Sequence, residues 1–589
     1  MDGGRVEADT AGRGRATLRS GAAACAGLGV LAVCLAVIAA TPGDAYWIND
    51  CGNKALVAER LLETGFRQAA FAPLDPALDP EGNWFPIPPP FALRRGAEFV
   101  SAYPLAYPAL AVPGLAAWGT RGLRLPAALG AAAAAALLAA WLTPVIGTGG
   151  ALAAGLALGL ATPLFFYGIT VWEHAPAVAL GLAAWILLAK PRLRAWCAAG
   201  TLVGVACWLR EEMALMAPAV IAAALLGRAP LRRIAAFAGG AAAPLAALAL
   251  FNQAFYGDPL GGHVAANLAG GVLAGRVRAE RFSALPGLLG GFGHGAGEKC
   301  VFALLALALP VAGALAPRRA RESSWLPLVL AAGGLAVWGM AGARMLAGPS
   351  RLRELVQHNG LLLQWPLLAL AGLGIARVRR DSAWSGLRIG VTAGLLFAVL
   401  VLTAGILMPS GFGAQVGAGV HWGPRVLLPA LPALVVLAAA GLVGRAPAAR
   451  LAWVALMLAG VASSALAVWF LAQQKLEGAR FADRLRAEAP RVIVTPHPFL
   501  GQQLASLWKE RPMLLTLDAA ALQAASLAVR GAGEPGFVFI APAGARLGST
   551  LPGVDCAAAF QYRGSYLDYF DLDVERCVFV APPGAARRG

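Results

Sequence analysis

Long apolar runs recur from residue 21 to residue 472, separated by short polar connections. A run of about twenty residues with few charges is what an α-helix needs to cross the hydrocarbon core of a bilayer. The pattern predicts spans near 21–41, 125–143, 150–169, 175–189, 195–209, 213–227, 234–252, 300–317, 325–342, 361–376, 386–408, 426–444 and 451–472. The expected fold is therefore an all-α polytopic membrane protein with about 11 to 13 transmembrane helices. One segment sets that range: Tyr103 to Trp118 is apolar but contains Pro104, Pro108 and Pro113. If it crosses fully, one of its two successors does not, because Lys190 to Arg194 belong on the cytoplasmic side. Alanine and glycine are abundant in the runs, and small residues let helices approach closely in lipid.

Beyond residue 475 the periodicity changes. Val492-Ile493-Val494 and Gly536-Phe537-Val538-Phe539-Ile540 read as short buried strands, while Leu500 to Lys509 and Ala519 to Arg530 have helix-like composition. A small C-terminal α/β extracytoplasmic domain follows from that alternation. The expected division is a cytoplasmic tail at 1–20, a membrane domain at 21–474 with an external loop at 42–100, and a soluble domain at 475–589. Arg13, Arg15 and Arg19 before the first run, with Ala39-Ala40-Thr41 after it, resemble a cleaved signal peptide. The length of the run and the spans downstream favour a retained anchor, and either way the next segment is exported.

Composition agrees with this picture: of 589 residues, 59% are hydrophobic and 13% charged, about half the charge of an average soluble domain. The 48 basic and 31 acidic residues leave a net charge of +17. That excess does not indicate nucleic acid, because it falls in clusters between apolar runs: Lys190/Arg192/Arg194, Arg228/Arg232/Arg233, Arg318/Arg319/Arg321 and Arg377/Arg379/Arg380. Such clusters mark cytoplasmic connections, which exports the segment from Gln253 to Lys299 as well as the loop and the tail. The loop at 42–100 reverses the sign, with Asp44, Asp50, Glu59, Glu63, Asp75, Asp79, Glu81 and Glu98 against five basic residues.

Cys556 and Cys577 bracket a polar, tyrosine-rich stretch; in an oxidising compartment they form a disulfide, and two buried thiols are the alternative. Cys25, Cys34, Cys197 and Cys207 fall in spans and read as packing residues. The chain has no CxxC, no HExxH and no nucleotide-binding glycine fingerprint.

The densest chemistry follows the first span. In Asp44 to Gly65, the apolar residues Val57, Leu61 and Leu62 argue for a helix that begins near Asn49 or Asp50, and Gly65 stops it. Asp50 suits a helix N-cap and stands four residues before Lys54, the spacing of a helical ion pair. Neither role excludes catalysis. Downstream, Glu173 and His174 end the stretch Phe165 to His174 at the edge of a span. Arg210, with Glu211 and Glu212, lies between two apolar segments, where a self-neutralised ion pair competes with a functional cluster. Arg425 precedes a span on the exported side, against the usual charge bias. Lys299 and His421 are further cations near exported segments.

The loop motif around Asp50, the stretch Phe165-Phe166-Tyr167-Gly168-Ile169-Thr170-Val171-Trp172-Glu173-His174, and Gly423-Pro424-Arg425 before Val426-Leu427-Leu428-Pro429 together resemble the glycosyltransferase C superfamily over most of residues 20–475. Members of that family are multi-span transferases using polyprenyl-phosphate-linked sugars, with acidic residues in their external loops. Asp50-Cys51 stands where the aminoarabinose and protein-mannose branches begin the motif Asp-Glu. Pro88-Pro89-Pro90-Phe91 lacks the lysine of the former's Lys-Pro-Pro-Leu element. The resemblance therefore implies a reaction class and no particular acceptor.

It implies an inverting transfer from a polyprenyl-phosphate sugar to an extracytoplasmic glycan, lipid or protein. Asp50 and Glu173 are the candidate catalytic carboxylates. Arg425, Arg210, His174, Lys54, Lys299 and His421 are the candidates for donor phosphate or substrate binding. A divalent cation is left open and no other cofactor or metal site is implied. The expected location is the inner membrane, with the site facing the periplasm or exterior. The competing function is a transporter or flippase, whose substrate path the charges at 210–212 would line. No internal repeat supports it.

Overall fold

A computed structural model describes residues 3–269, 296–346, 364–407, 425–444, 447–547, 551–564 and 571–580, with only the backbone described for 3–20, 296–300 and some other helical positions. Its contacts divide the chain into two compact units, Met1–Val37 with Arg124–Val468, and Ile38–Leu123 with Trp469–Gly589. The segment that sequence assigns to an external loop of the membrane domain thus groups with the C-terminal tail.

The first unit is helical. Among the described residues of the chain, seven helical stretches are long and apolar enough to cross a membrane: Gly21–Ala40, Ala106–Leu160, Leu231–Tyr256, Trp325–Ala343, Ser382–Ala404, Arg425–Leu442 and Pro447–Ala487. His174–Leu188, Leu193–Leu209 and Ala303–Leu315 are shorter apolar helices. This is a multi-pass membrane protein. Two expected spans, 125–143 and 150–169, join in one kinked helix, Leu125–Leu160, which bends where Pro144 removes a donor and Gly147 takes φ 75°. The basic clusters fall between apolar helices or in a last turn: 190–194 joins His174–Leu188 to Leu193–Leu209, and Arg377, Arg379 and Arg380 end Leu368–Arg380.

Small residues set the helix spacing. A Cβ on Gly200 would sit 2.0 Å from Phe237 O, and one on Gly240 would sit 2.0 Å from Cys197 O. The helices Leu193–Leu209 and Leu231–Tyr256 therefore touch backbone to backbone at reciprocal glycines, the close approach that glycine permits in lipid.

The second unit combines the helix Asn49–Glu63, a hairpin of β1 (Ala92–Arg95) and β2 (Glu98–Ser101), and the helix Ala106–Trp118 with the tail. The tail carries β3 (Ile493–Thr495), β4 (Met513–Leu515), β5 (Gly536–Pro542), β6 (Val554–Arg563) and β7 (Asp571–Phe579), ordered β4-β3-β5-β7-β6. β4, β3 and β5 are parallel; β7 and β6 add antiparallel. The central strands read as unbroken apolar runs because both faces are covered. Ile493, Val538 and Ile540 pack on Phe481, Ala482 and Leu485 of the helix Pro447–Ala487. On the other face, Val492, Val494, Phe537 and Phe539 pack with Ala525 and Val529 of the helix Ala519–Gly531, and with Leu78 from the early segment. That burial explains the grouping: Leu78 is wholly buried in the sheet's core, so residues 42–100 complete it.

The helix expected over Leu500 to Lys509 is broken into Leu500–Gln503 and a 3-10 turn at Ala505–Leu507, since Leu504 leaves helical geometry (φ −96°, ψ 25°). Cys556 and Cys577 stand in register on β6 and β7 and are joined as a disulfide.

Candidate functional site

In the second unit, the helix Asn49–Glu63 begins one residue before Asp50, with Ile48 at the N-cap and no side-chain cap. Asp50 is therefore not the N-cap its sequence position suggests. It lies in the first turn, where the helix dipole favours a carboxylate, and it is 8% exposed. The Tyr103 hydroxyl donates to Asp50 Oδ1. Lys54, 1% exposed, holds its ammonium 5.0 Å from the centre of the same tyrosine ring, a favourable cation–π placement. Tyr103 thus touches both members of the expected ion pair.

One turn on, Asn53 is fully buried and ties three segments together. Its amide donates to Phe91 O at 3.0 Å and to Gln502 Oε1 at 3.4 Å, and it accepts from Ser101 Oγ at 2.5 Å. Gly52 is required between these residues: a Cβ there would lie 1.8 Å from Gln502 O. The irregular segment leading into the helix is pinned by the helix Pro447–Ala487, Gln474 Nε2 donating to Trp47 O at 2.6 Å and Lys475 Nζ to Ala45 O. The helix turn that carries Asp50 is held by backbone and side-chain bonds on several sides, as a preorganised carboxylate requires.

Cys51 lies in the same turn, 1% exposed. Burial, the largest influence, with Lys54 opposing it and Asp50 adding to it, pushes the thiol up to about 12. Only the thiolate is nucleophilic, so Cys51 is expected to resist iodoacetamide at pH 8 in the folded protein and to react once denatured. Alkylation followed by peptide mass spectrometry checks this, and rapid labelling of the native chain would contradict the buried placement.

In the first unit, the buried stretch Leu164–Gly168 leads through Thr170 and Trp172 to Glu173, which precedes the helix His174–Leu188. Glu173 and His174 are each 2% exposed. Arg210, just after the helix Leu193–Leu209, reaches Glu173 Oε1 with Nη1 at 2.9 Å and Glu212 Oε1 with Nη2 at 2.6 Å and Nε at 2.7 Å. The self-neutralised reading of the 210–212 cluster is the one the geometry takes, and it captures Glu173 as well. Glu211 turns elsewhere, to His263 Nδ1 at 3.1 Å.

Beside Glu173 the aromatic rings form a cluster. Trp172 stacks on Tyr167 (5.2 Å, 19°), His174 lies 4.6 Å from Tyr167 and 5.1 Å from Trp172, and Arg425 Cζ sits 5.4 Å from the Trp172 ring. Arg425 opens a 3-10 turn, Arg425–Ala430, and is 6% exposed. Glu173, His174, Arg210 and Arg425 therefore share one neighbourhood, while Asp50 and Lys54 share another in the second unit. Lys299 lies in the helix Ala296–Leu315 with its side chain undescribed, and His421 with Gly423-Pro424 lies outside the described residues. Among the described residues, no group of three or more His, Cys, Asp or Glu is placed to hold a metal ion.

Tyr103, Asn53, Ser101, Gln474 and Gln502 were not among the sequence candidates. Asn53 had a signal, its place one turn from Asp50. The others are brought in by folding and carry no local mark.

No family model matches the chain, and no curated protein matches it. Among solved structures, it is similar to ArnT from Cupriavidus metallidurans in the apo state, at 12% identity over 93% of this chain and 97% of that one, with a TM-score of 0.41. The same protein bound to undecaprenyl phosphate gives 14% identity, the same coverage and 0.42. The apo Archaeoglobus fulgidus oligosaccharyltransferase gives 13% identity over 87% of this chain and 69% of that one, with 0.44. Likenesses this distant assign no residue a role, which rests on the contacts themselves.

Proposed function

We propose that the protein is an inner-membrane glycosyltransferase acting on the periplasmic or exterior side, moving a sugar from a polyprenyl-phosphate donor to an extracytoplasmic glycan, lipid or protein. The observation that carries this reading is Asp50. It is a nine-tenths-buried carboxylate in the first turn of the helix that follows the first membrane-spanning stretch, and a tyrosine hydroxyl orients it.

The chemistry is a single displacement. Asp50 takes the proton from an acceptor hydroxyl, the freed oxygen bonds to the anomeric carbon, and the bond from that carbon to the phosphate oxygen breaks with inversion. The departing polyprenyl phosphate needs a cation. Arg425, whose guanidinium lies over the Trp172 ring, is the first unit's own candidate for holding such a phosphate. Glu173 and His174 contact the sugar or acceptor. Arg210 holds Glu173 in place, and Lys54 supports the ring of Tyr103. A transporter gains no observation of its own from the fold.

Reconstitution with a panel of polyprenyl-phosphate sugars tests the reading. Sugar should leave the lipid, and the product's anomeric configuration should be inverted. Counterflow of a labelled solute with no turnover of any donor would replace it with transport.

Tyr103→Phe should lower kcat about 10- to 100-fold, the worth of a hydrogen bond to a charged group, with KM for the donor nearly unchanged. An equal rise in KM at constant kcat would move Tyr103 from positioning the carboxylate to binding.

A further inference from the structure

The helix that carries Asp50 begins without a cap of its own. The first N–H groups of an α-helix have no partner inside the helix, and a serine, threonine, aspartate or asparagine at the N-cap ordinarily meets one of them. Here the N-cap is Ile48, extended at φ −153° and ψ 160°, whose side chain has no acceptor to offer. The acceptor comes from the C-terminal tail instead. In the amide orientation that satisfies its neighbours, Gln503 accepts from Asn49 N and donates to Tyr46 O, each at 3.1 Å. One side chain thus grips the first residue of the helix and the segment that leads into it.

Gln503 is itself firmly held. It ends the short helix Leu500–Gln503, and its own N–H donates to Phe499 O at 3.1 Å. Leu500 and Leu504 are buried in the sheet's core with Phe481, Ile493 and Val538. Trp508 Nε1 donates to Gly501 O at 2.8 Å, and a Cβ on Gly501 would lie 2.2 Å from Pro86 O, so the turn is wedged against the early segment. A reacting group is placed accurately only when its supports are locked by packing of their own. The core of the tail therefore fixes the Gln503 amide, and the amide fixes the start of the helix.

We propose that Gln503 is a positioning residue for sugar transfer, a helix cap supplied by the C-terminal tail that holds the first turn of the Asp50 helix in its reactive place. The proposal rests on the reading of Asp50 as the base and gives the tail a part in catalysis. Without the amide, residues 49–52 would fray, and the carboxylate would spend less time aimed at the acceptor hydroxyl. Donor binding is untouched by that loss, so the effect falls on kcat.

Gln503→Met, which removes both bonds at similar volume, tests this in the full chain in nanodiscs. Hydrogen exchange without any substrate should run about tenfold faster at residues 49–52, with β3 and β5 unchanged, because the opening is local. With the panel of polyprenyl-phosphate sugars, kcat should fall about tenfold, one hydrogen bond, at constant KM for the donor. In an Asp50→Asn background the same substitution should lower turnover by no more than about twofold, since a residue that acts through Asp50 has nothing left to aim. Should Gln503→Met fail to fold, Gln503→Asn decides, because its amide stays polar but stops short of Asn49. Unchanged exchange, a rise in KM at constant kcat, or the full tenfold loss in the Asp50→Asn background would overturn the proposal and leave Asp50 as the base. Wild-type turnover by Asp50→Asn alone would instead remove the reading on which the proposal rests, whatever the exchange at residues 49–52.

Discussion

Replacing Asp50 with asparagine is expected to reduce release of sugar from polyprenyl phosphate by about 10²- to 10⁴-fold, the usual contribution of a positioned general base. The substitution is nearly isosteric and keeps an oxygen to accept from Tyr103, so the helix Asn49–Glu63 should remain in place. What it removes is the capacity to take a proton. Donor affinity, measured separately with a non-hydrolysable lipid-phosphate sugar, should change by no more than a few-fold. Turnover equal to wild type would strip Asp50 of its role; a matching loss of donor binding would make it a binding residue. Single-turnover measurements separate the two, because KM reports binding only when chemistry is slow relative to dissociation.

The largest effect on stability is expected at Arg210. Its guanidinium is bonded to Glu173 and Glu212, whose side chains are 3% and 4% exposed. Arg210→Met would leave two carboxylates buried close together with their shared cation gone. Breaking a buried pair in this way costs about 3–5 kcal/mol, a large part of the stability of an average protein. The variant should be lost as monodisperse protein in detergent, or inactivate far faster than wild type at a fixed temperature. Arg210→Lys should be intermediate, because a single ammonium cannot reproduce the planar fork that serves both carboxylates. Arg210→Met combined with Glu173→Gln and Glu212→Gln should recover much of the loss, since no charge is then left unmatched. A stable Arg210→Met protein would show that the triad is not buried as the fold places it.

These two sites differ in how far sequence could reach them. Asp50 was legible because its signals are local: an acidic residue just after an apolar run, then helix-forming periodicity, then Gly65, which indeed takes φ 58° one residue past the C-cap Thr64. A self-neutralised ion pair within the 210–212 cluster was also suggested, though not which of the two glutamates Arg210 takes. Its capture of Glu173, 37 residues away, was not. Tyr103 was read as the edge of a proline-rich apolar segment, and nothing in that pattern links it to an aspartate 53 residues earlier.

The sequence by itself determined the membrane-spanning helices and the α/β character of the tail. Burial of apolar surface depends on composition and period, and both can be read residue by residue. It also set Cys556 and Cys577 as a pair to be judged. Tertiary structure alone decided that residues 42–100 complete the core of the tail's sheet through Leu78, that Gly52 is needed because Gln502 O presses on it, and that Asn53 meets a partner 449 residues away. Such contacts join segments whose separation along the chain carries no periodic signal. They are selected by shape and by the cost of leaving a buried polar group unmatched, quantities that exist only once the chain has folded.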